Sequence, residues 1–112
     1  MKGLIVKEPF ASMIVRGEKR WEIRKTRTKF RGEVWIISNG FAIGSAKLTD
    51  VLGPFSVEEL VKYSNYHKIS YEELKRYSKG KKLYAWVFNE PKEFNEKIKV
   101  NLPRGVRVWV NL

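Results

Sequence analysis

The chain contains no cysteine, no glutamine and a single histidine, and its 12 acidic residues face 23 lysines and arginines over 112 positions. Absent cysteine excludes disulfides and thiolate-bound metals. One histidine, His67, leaves a zinc or two-histidine iron site short of ligands. None of Ser12, Ser38 and Ser45 has a histidine beside it in the chain, so a serine-nucleophile triad has no support. No apolar run approaches the ~20 residues that cross a bilayer, and the first residues lack a signal-peptide layout. The expectation is a cytoplasmic protein with no metal, no cofactor and no membrane segment.

The residues that are present describe an ordinary globular domain. A hydrophobic fraction of 43% argues against disorder, and 112 residues correspond to one domain, 1–112. A domain of this size buries roughly two-thirds of its unfolded surface, enough for a core without staples. The net charge of +11 favours nucleic acid, nucleotides or an anionic surface as partner. A lysine-rich surface kept for solubility is the plain alternative. The Lys, Arg and Glu content also has a thermophile-like bias, which raises the charge count without any ligand. Where the charge clusters is therefore more informative than its sum.

The clearest cluster runs from Gly17 to Arg31. It holds Lys19, Arg20, Arg24, Lys25, Arg27, Lys29 and Arg31 against one acid, Glu22, with Trp21 and Phe30 inside it. Lys19 to Arg24 alternates as a strand does, with Trp21 and Ile23 on one side and Arg20, Glu22 and Arg24 on the other. Residues 25–31 read as a cationic loop. A cation at every second position suits a phosphate backbone, whereas Glu22 suits a cation or a base amino group. Glu22 and Arg24 on one strand face also read as a surface ion pair, which is worth about 0–1 kcal/mol.

Around this segment the pattern gives about six strands and three short helices. Gly3–Val6 reads as a buried strand, and residues 9–16 as a helix opened by Pro9 and closed by Gly17. Residues 32–38 and 41–51 read as a hairpin around Asn39–Gly40, with Gly53–Pro54 breaking the chain. The small residues Ala42, Gly44, Ser45 and Ala46 fit a sharp bend or a close approach to the backbone. Ser56 with Glu59 and Ser70 with Glu73 have capping-box spacing, giving helices over about 57–63 and 71–77 with a polar connection at 64–68. Strands follow at 83–88 and 94–100 with a turn at 89–92, and a last strand at 106–111 follows a Pro103–Gly105 hairpin turn. Dense strands in a short chain suggest an α+β, mainly β, closed or nearly closed barrel. Trp21, Trp35, Trp86 and Trp109 all fall in strands and are assigned mainly to the core.

The ordered set Gly3-Leu4, Pro9-Phe10-Ala11, Gly17-x-Lys19-x-x-Glu22-x-Arg24, Arg31-Gly32 and Ala85-Trp86 resembles the ASCH-domain family, in its small stand-alone prokaryotic or archaeal type. That resemblance implies a PUA-like β-barrel, a cleft lined by Lys19, Glu22 and Arg24, and RNA binding linked to translation or RNA processing. The nucleic-acid-binding set expected from the pattern and the resemblance is Lys7, Lys19, Arg20, Glu22, Arg24, Lys25, Arg27, Lys29 and Arg31. Some family members resemble hydrolases that deacetylate N4-acetylcytidine with a lysine, a threonine and a glutamate. Lys19 matches that lysine, Glu22 occupies the threonine position, and the later glutamate falls near His67. An acid cannot serve as a hydroxyl nucleophile, so RNA binding leads. A hydrolase acting on a modified nucleoside or on RNA, with Lys19 and Glu22 as catalytic pair, is the alternative. A basic face for an acidic protein partner is the third reading.

Overall fold

The computed structural model describes all 112 residues. Six strands form one mixed sheet, and three helical segments pack on it. The strands are β1 (Lys2–Ile5), β2 (Trp21–Arg24), β3 (Gly32–Ser38), β4 (Phe41–Phe55), β5 (Leu83–Lys99) and β6 (Trp109–Asn111). The helices are α1 (Phe10–Val15), then α2 (Val57–Leu60) running through a 3-10 turn into α3 (Ser64–His67), and α4 (Tyr71–Ser78). The sheet order is β2-β5-β4-β3-β1-β6; β1 and β3 are parallel and the other neighbours antiparallel.

The backbone ladder does not close. β2 and β6 are the two edges, and no pairing joins them. Instead of the closed or nearly closed barrel expected, the ladder thus shows an open six-stranded sheet with a seam. One side chain crosses it: Arg24 Nη2, on β2, donates to the Ile5 carbonyl of β1 at 2.9 Å. Trp86 of β5 stacks on Trp109 of β6 at 5.7 Å between ring centroids, filling the space behind that tie.

Local chemistry explains most elements. Asn39 and Gly40 both take positive φ, as a two-residue hairpin of matching twist requires, and Ser38 pairs with Phe41. A Cβ on Gly44 would collide with the Lys92 carbonyl of β5 and with Val15 of α1, so the small-residue stretch of β4 is where α1 packs directly onto the backbone. Ser56 and Glu59 form the full capping box at α2. Ser56→Ala is expected to cost about 1 kcal/mol in urea unfolding. No measurable change would mean that packing of Val57 and Leu60 alone holds this turn.

Two expected breaks are continuous strand, and one expected hairpin is absent. β4 runs through Gly53–Pro54, where a register shift between Leu52 and Phe55 removes the need for a ladder hydrogen bond from proline. β5 runs through residues 89–92, which absorb a bulge against β4 instead of turning. The Pro103–Gly105 turn does not pair its flanks; β6 lies beside β1 instead, and its ladder covers only residues 109–111. The polar connection at 64–68 contains the helical turn α3, ended by Lys68 at φ 63.

One core lies between α1 and the inner sheet face, around Leu4, Ile14, Ile36 and Trp86. A second lies on the outer face of β2 and β5, where Trp21, Ile23, Leu83 and Ala85 meet Leu60 and Leu74. β2 is therefore covered on both faces, and its alternation separates two interiors instead of a core from solvent.

Candidate nucleic-acid interface

The seam between β1 and β2 opens into a cleft of about 300 Å³, roofed by α4. Its apolar walls are Ile5, Phe10, Ile23, Ile69, Leu74 and Tyr77. Its polar lining is Lys7, Glu22, Arg24, Glu73 and Arg107. Three cations and two acids line it, so most of the positive excess expected of the site resides outside the cleft itself.

Glu22 and Arg24 sit on the same face of β2, two residues apart. Arg24 Nε and Nη2 both reach Glu22 Oε2 at 2.9 Å. Their side chains are 9% and 16% exposed, so this is a largely buried pair and not a solvated one. The Arg24 guanidinium also lies over Trp86 at 5.5 Å.

Lys19 lies beneath the cleft and does not line it. Its ammonium donates to the His67 carbonyl, stands 3.8 Å from Glu22 Oε1 and faces the Phe10 ring at 4.5 Å. Burial pushes its pKa down to about 8, against the opposing pull of Glu22. His67 is fully buried, and burial lowers its pKa as well. Its Nδ1 accepts from the Ile69 amide at 3.0 Å, so the ring proton belongs on Nε2, 2.7 Å from the Leu60 carbonyl. His67 is a buried backbone clamp. The acid on this wall of the cleft is Glu73, which the sequence pattern had assigned to a cap. Its backbone N–H does donate to Ser70, but its carboxylate leaves the cap and meets Lys7 at 3.2 Å.

The other expected residues divide by position. Lys7 reaches the cleft from the β1–α1 connection. Arg20 does not; its guanidinium lies 5.5 Å over Tyr66, beside the outer stack of Trp21 and Tyr66. Lys25, Arg27, Lys29 and Arg31 occupy the loop leaving β2. That loop is pinned at both ends, by Trp86 Nε1 donating to the Thr26 carbonyl at 2.9 Å and by Phe30 against Trp109. Lys25 lies over Tyr77 at 4.8 Å and Arg27 over Tyr84 at 5.2 Å. Arg31 folds back onto the carbonyls of Thr28 and Phe30. None of the four forms an ion pair.

Arg107 and Tyr77 were not singled out in the sequence, and Glu73 only as a cap. Arg107 precedes the last strand, far along the chain from the motif, and only the β1–β6 pairing brings it near. Burial raises the Tyr77 pKa, so its hydroxyl stays a donor at neutral pH. No group of His, Cys, Asp or Glu side chains is placed to hold a metal, and no helix is long and apolar enough to cross a membrane.

Three solved structures share the fold. ASCH from Zymomonas mobilis matches with a TM-score of 0.83 at 19% identity, over 98% of this chain and 87% of that one. A serine-to-alanine mutant of that protein matches with 0.80 at 20%, over 99% and 87%. A tyrosine-to-phenylalanine mutant matches with 0.79 at 21%, over 98% and 89%. At these identities the likeness establishes the architecture alone. No curated protein matches the chain in sequence. The ASCH domain model matches residues 4–98, which include all of the cleft's lining except Arg107, the cationic loop and most of five of the six strands. The chain belongs to the ASCH domain family.

Proposed function

We propose that this domain binds RNA, with a single-stranded segment crossing the 25–31 loop and one nucleotide entering the cleft. The observation that carries it is the unpaired state of Lys25, Arg27, Lys29 and Arg31 on a loop anchored at both ends beside the cleft. Anchoring holds like charges together despite their repulsion, and a polyanion offsets that repulsion. Tyr77 and Tyr84, both partly exposed, flank the cations and offer faces for unstacked bases. The expected setting is translation or RNA processing in the cytoplasm.

Affinity for a short single-stranded RNA should fall steeply with salt. Each phosphate contact contributes about 0.7 to the slope of log affinity against log salt for a single strand. Changing Arg27, Lys29 and Arg31 together to alanine should reduce that slope by about 2 while leaving the fold intact. A slope that does not change would remove the loop from the interface, and no binding at low salt would remove the reading.

A second reading, a hydrolase acting on an N4-acetylcytidine-type nucleoside or on RNA, draws on the depressed pKa of Lys19 beside Glu22. Turnover of N4-acetylcytidine or a mixed RNA that disappears in Lys19→Ala is the result it requires.

A further inference from the structure

We propose that the cleft floor reads the edge of one unpaired base carrying an exocyclic amino group, cytosine or adenine, through Glu22 Oε1 and Arg24 Nη1. This rests on the RNA-binding reading above and narrows it to a class of base.

The two oxygens of Glu22 are treated unequally. Oε2 receives both Nε and Nη2 of Arg24 at 2.9 Å. Oε1 lies 3.8 Å from Lys19 Nζ, beyond hydrogen-bond reach, and accepts no other bond. Glu22 as a residue is only 7% exposed. Yet no fully buried side-chain nitrogen or oxygen in the molecule lacks a partner. Oε1 therefore meets the cleft that Glu22 lines. A carboxylate oxygen only accepts, so an N–H or O–H donor completes it, and an anion is repelled from this spot.

Arg24 is the complement. Its Nε and Nη2 are committed to Glu22 and to the Ile5 carbonyl, and Nη1 has no partner. A guanidinium nitrogen only donates. One free acceptor and one free donor thus stand on neighbouring side chains at the floor of a cleft walled by Phe10, Ile69 and Tyr77. A volume of about 300 Å³ is at the small end for ligand sites, suited to one base and closed to a duplex. Cytosine and adenine offer an amino donor next to a bare ring nitrogen, which matches both free positions. Uracil puts a carbonyl oxygen where the amino group stands. On the same Watson–Crick edge uracil and guanine both carry hydrogen on the ring nitrogen and would set donor against donor at Arg24; the other edge on which guanine has an amino group beside a bare nitrogen lies against its own ribose. The phosphates then fall to Arg107 at the cleft and to the loop cations.

The test is fluorescence anisotropy with labelled homopolymers of cytidine, adenosine and uridine, equal in length and at one low salt concentration. The cytidine and adenosine strands should bind about tenfold more tightly than the uridine strand. In Glu22→Gln, Arg24 holds the amide oxygen, so the NH₂ takes the place of Oε1. The preference should then vanish or reverse toward uridine, whereas a purely structural role would weaken all three strands alike. Should that variant fail to fold, the wild-type protein still decides. A cytidine strand whose amino group is replaced by hydrogen keeps the bare ring nitrogen and loses only the donor, so its affinity should fall between the cytidine and uridine strands. Equal affinity for all three strands, or no loss with the hydrogen-substituted strand, overturns the base reading and leaves RNA binding standing. Absence of any RNA binding overturns both.

Discussion

Arg24→Ala is expected to destabilise the fold by about 3 kcal/mol, the low end of what removing one partner from a buried ion pair costs. For a domain of this size that lowers the thermal midpoint by roughly 15 °C. The guanidinium has three simultaneous roles. It neutralises Glu22, ties β2 to the Ile5 carbonyl across the open seam and covers the face of Trp86. Truncation leaves the Glu22 carboxylate with Lys19 at 3.8 Å as its only counterion, and leaves the seam without its side-chain tie. Arg24→Lys keeps the charge but not the fork, so it should recover less than half of the loss. In the double variant Glu22→Leu with Arg24→Ala the orphaned charge is gone, and the combined loss should be smaller than the sum by about 1–3 kcal/mol. Urea unfolding of the single and double variants measures this. Additive losses below about 1 kcal/mol would return the pair to the class of solvated surface bridges.

The role of Arg24 shows what the sequence could and could not supply. Hairpin and cap chemistry is local, so Asn39–Gly40, Gly17 and Ser56 with Glu59 were legible from the residues themselves. Strand ends were less so. Pro54 and residues 89–92 look like breaks, yet a long partner strand keeps pairing past them and turns each into a bulge. Partner choice was not legible at all. Alternation around Val108 and Val110 signals a strand, but nothing local says that it lies beside β1.

The site divides in the same way. Lys19, Glu22 and Arg24 were found because they lie within six residues of one another. Their separate stations were not: one cation beneath the floor, a carboxylate and a guanidinium on it. Period-two alternation cannot reveal these depths when both faces of β2 are covered. Arg20 was grouped with Glu22 and Arg24 on that alternation, but it precedes the strand and turns to Tyr66. Arg107 and Tyr77 reach the cleft only through tertiary packing.

Lys19 carries the last expectation, a dependence of stability on pH. Its side chain has no exposed surface, and burial takes its pKa from 10.5 down to about 8. In the unfolded chain the group titrates near its ordinary value, about 10.4. Below pH 8 both states hold the proton, and the cost of burying the ammonium is fully present. Between about pH 8 and 10.4 the native state has released the proton while the unfolded state still binds it, so stability rises with pH. Integrated over that window the gain is about 3 kcal/mol, and above it the contribution is level. Lys19→Met keeps an apolar stem and removes the titrating group. The wild-type stability minus that of the variant should therefore be flat from about pH 6 to 7.5 and then climb toward pH 10.5, as read from urea midpoints at each pH. Taking this difference cancels the titration of the exposed lysines and tyrosines that both proteins share. A difference that stays flat through pH 10 would mean that Nζ keeps its proton in the native state. The pull of Glu22 and the His67 carbonyl would then outweigh burial, and Lys19 would act as a permanent counterion beneath the cleft.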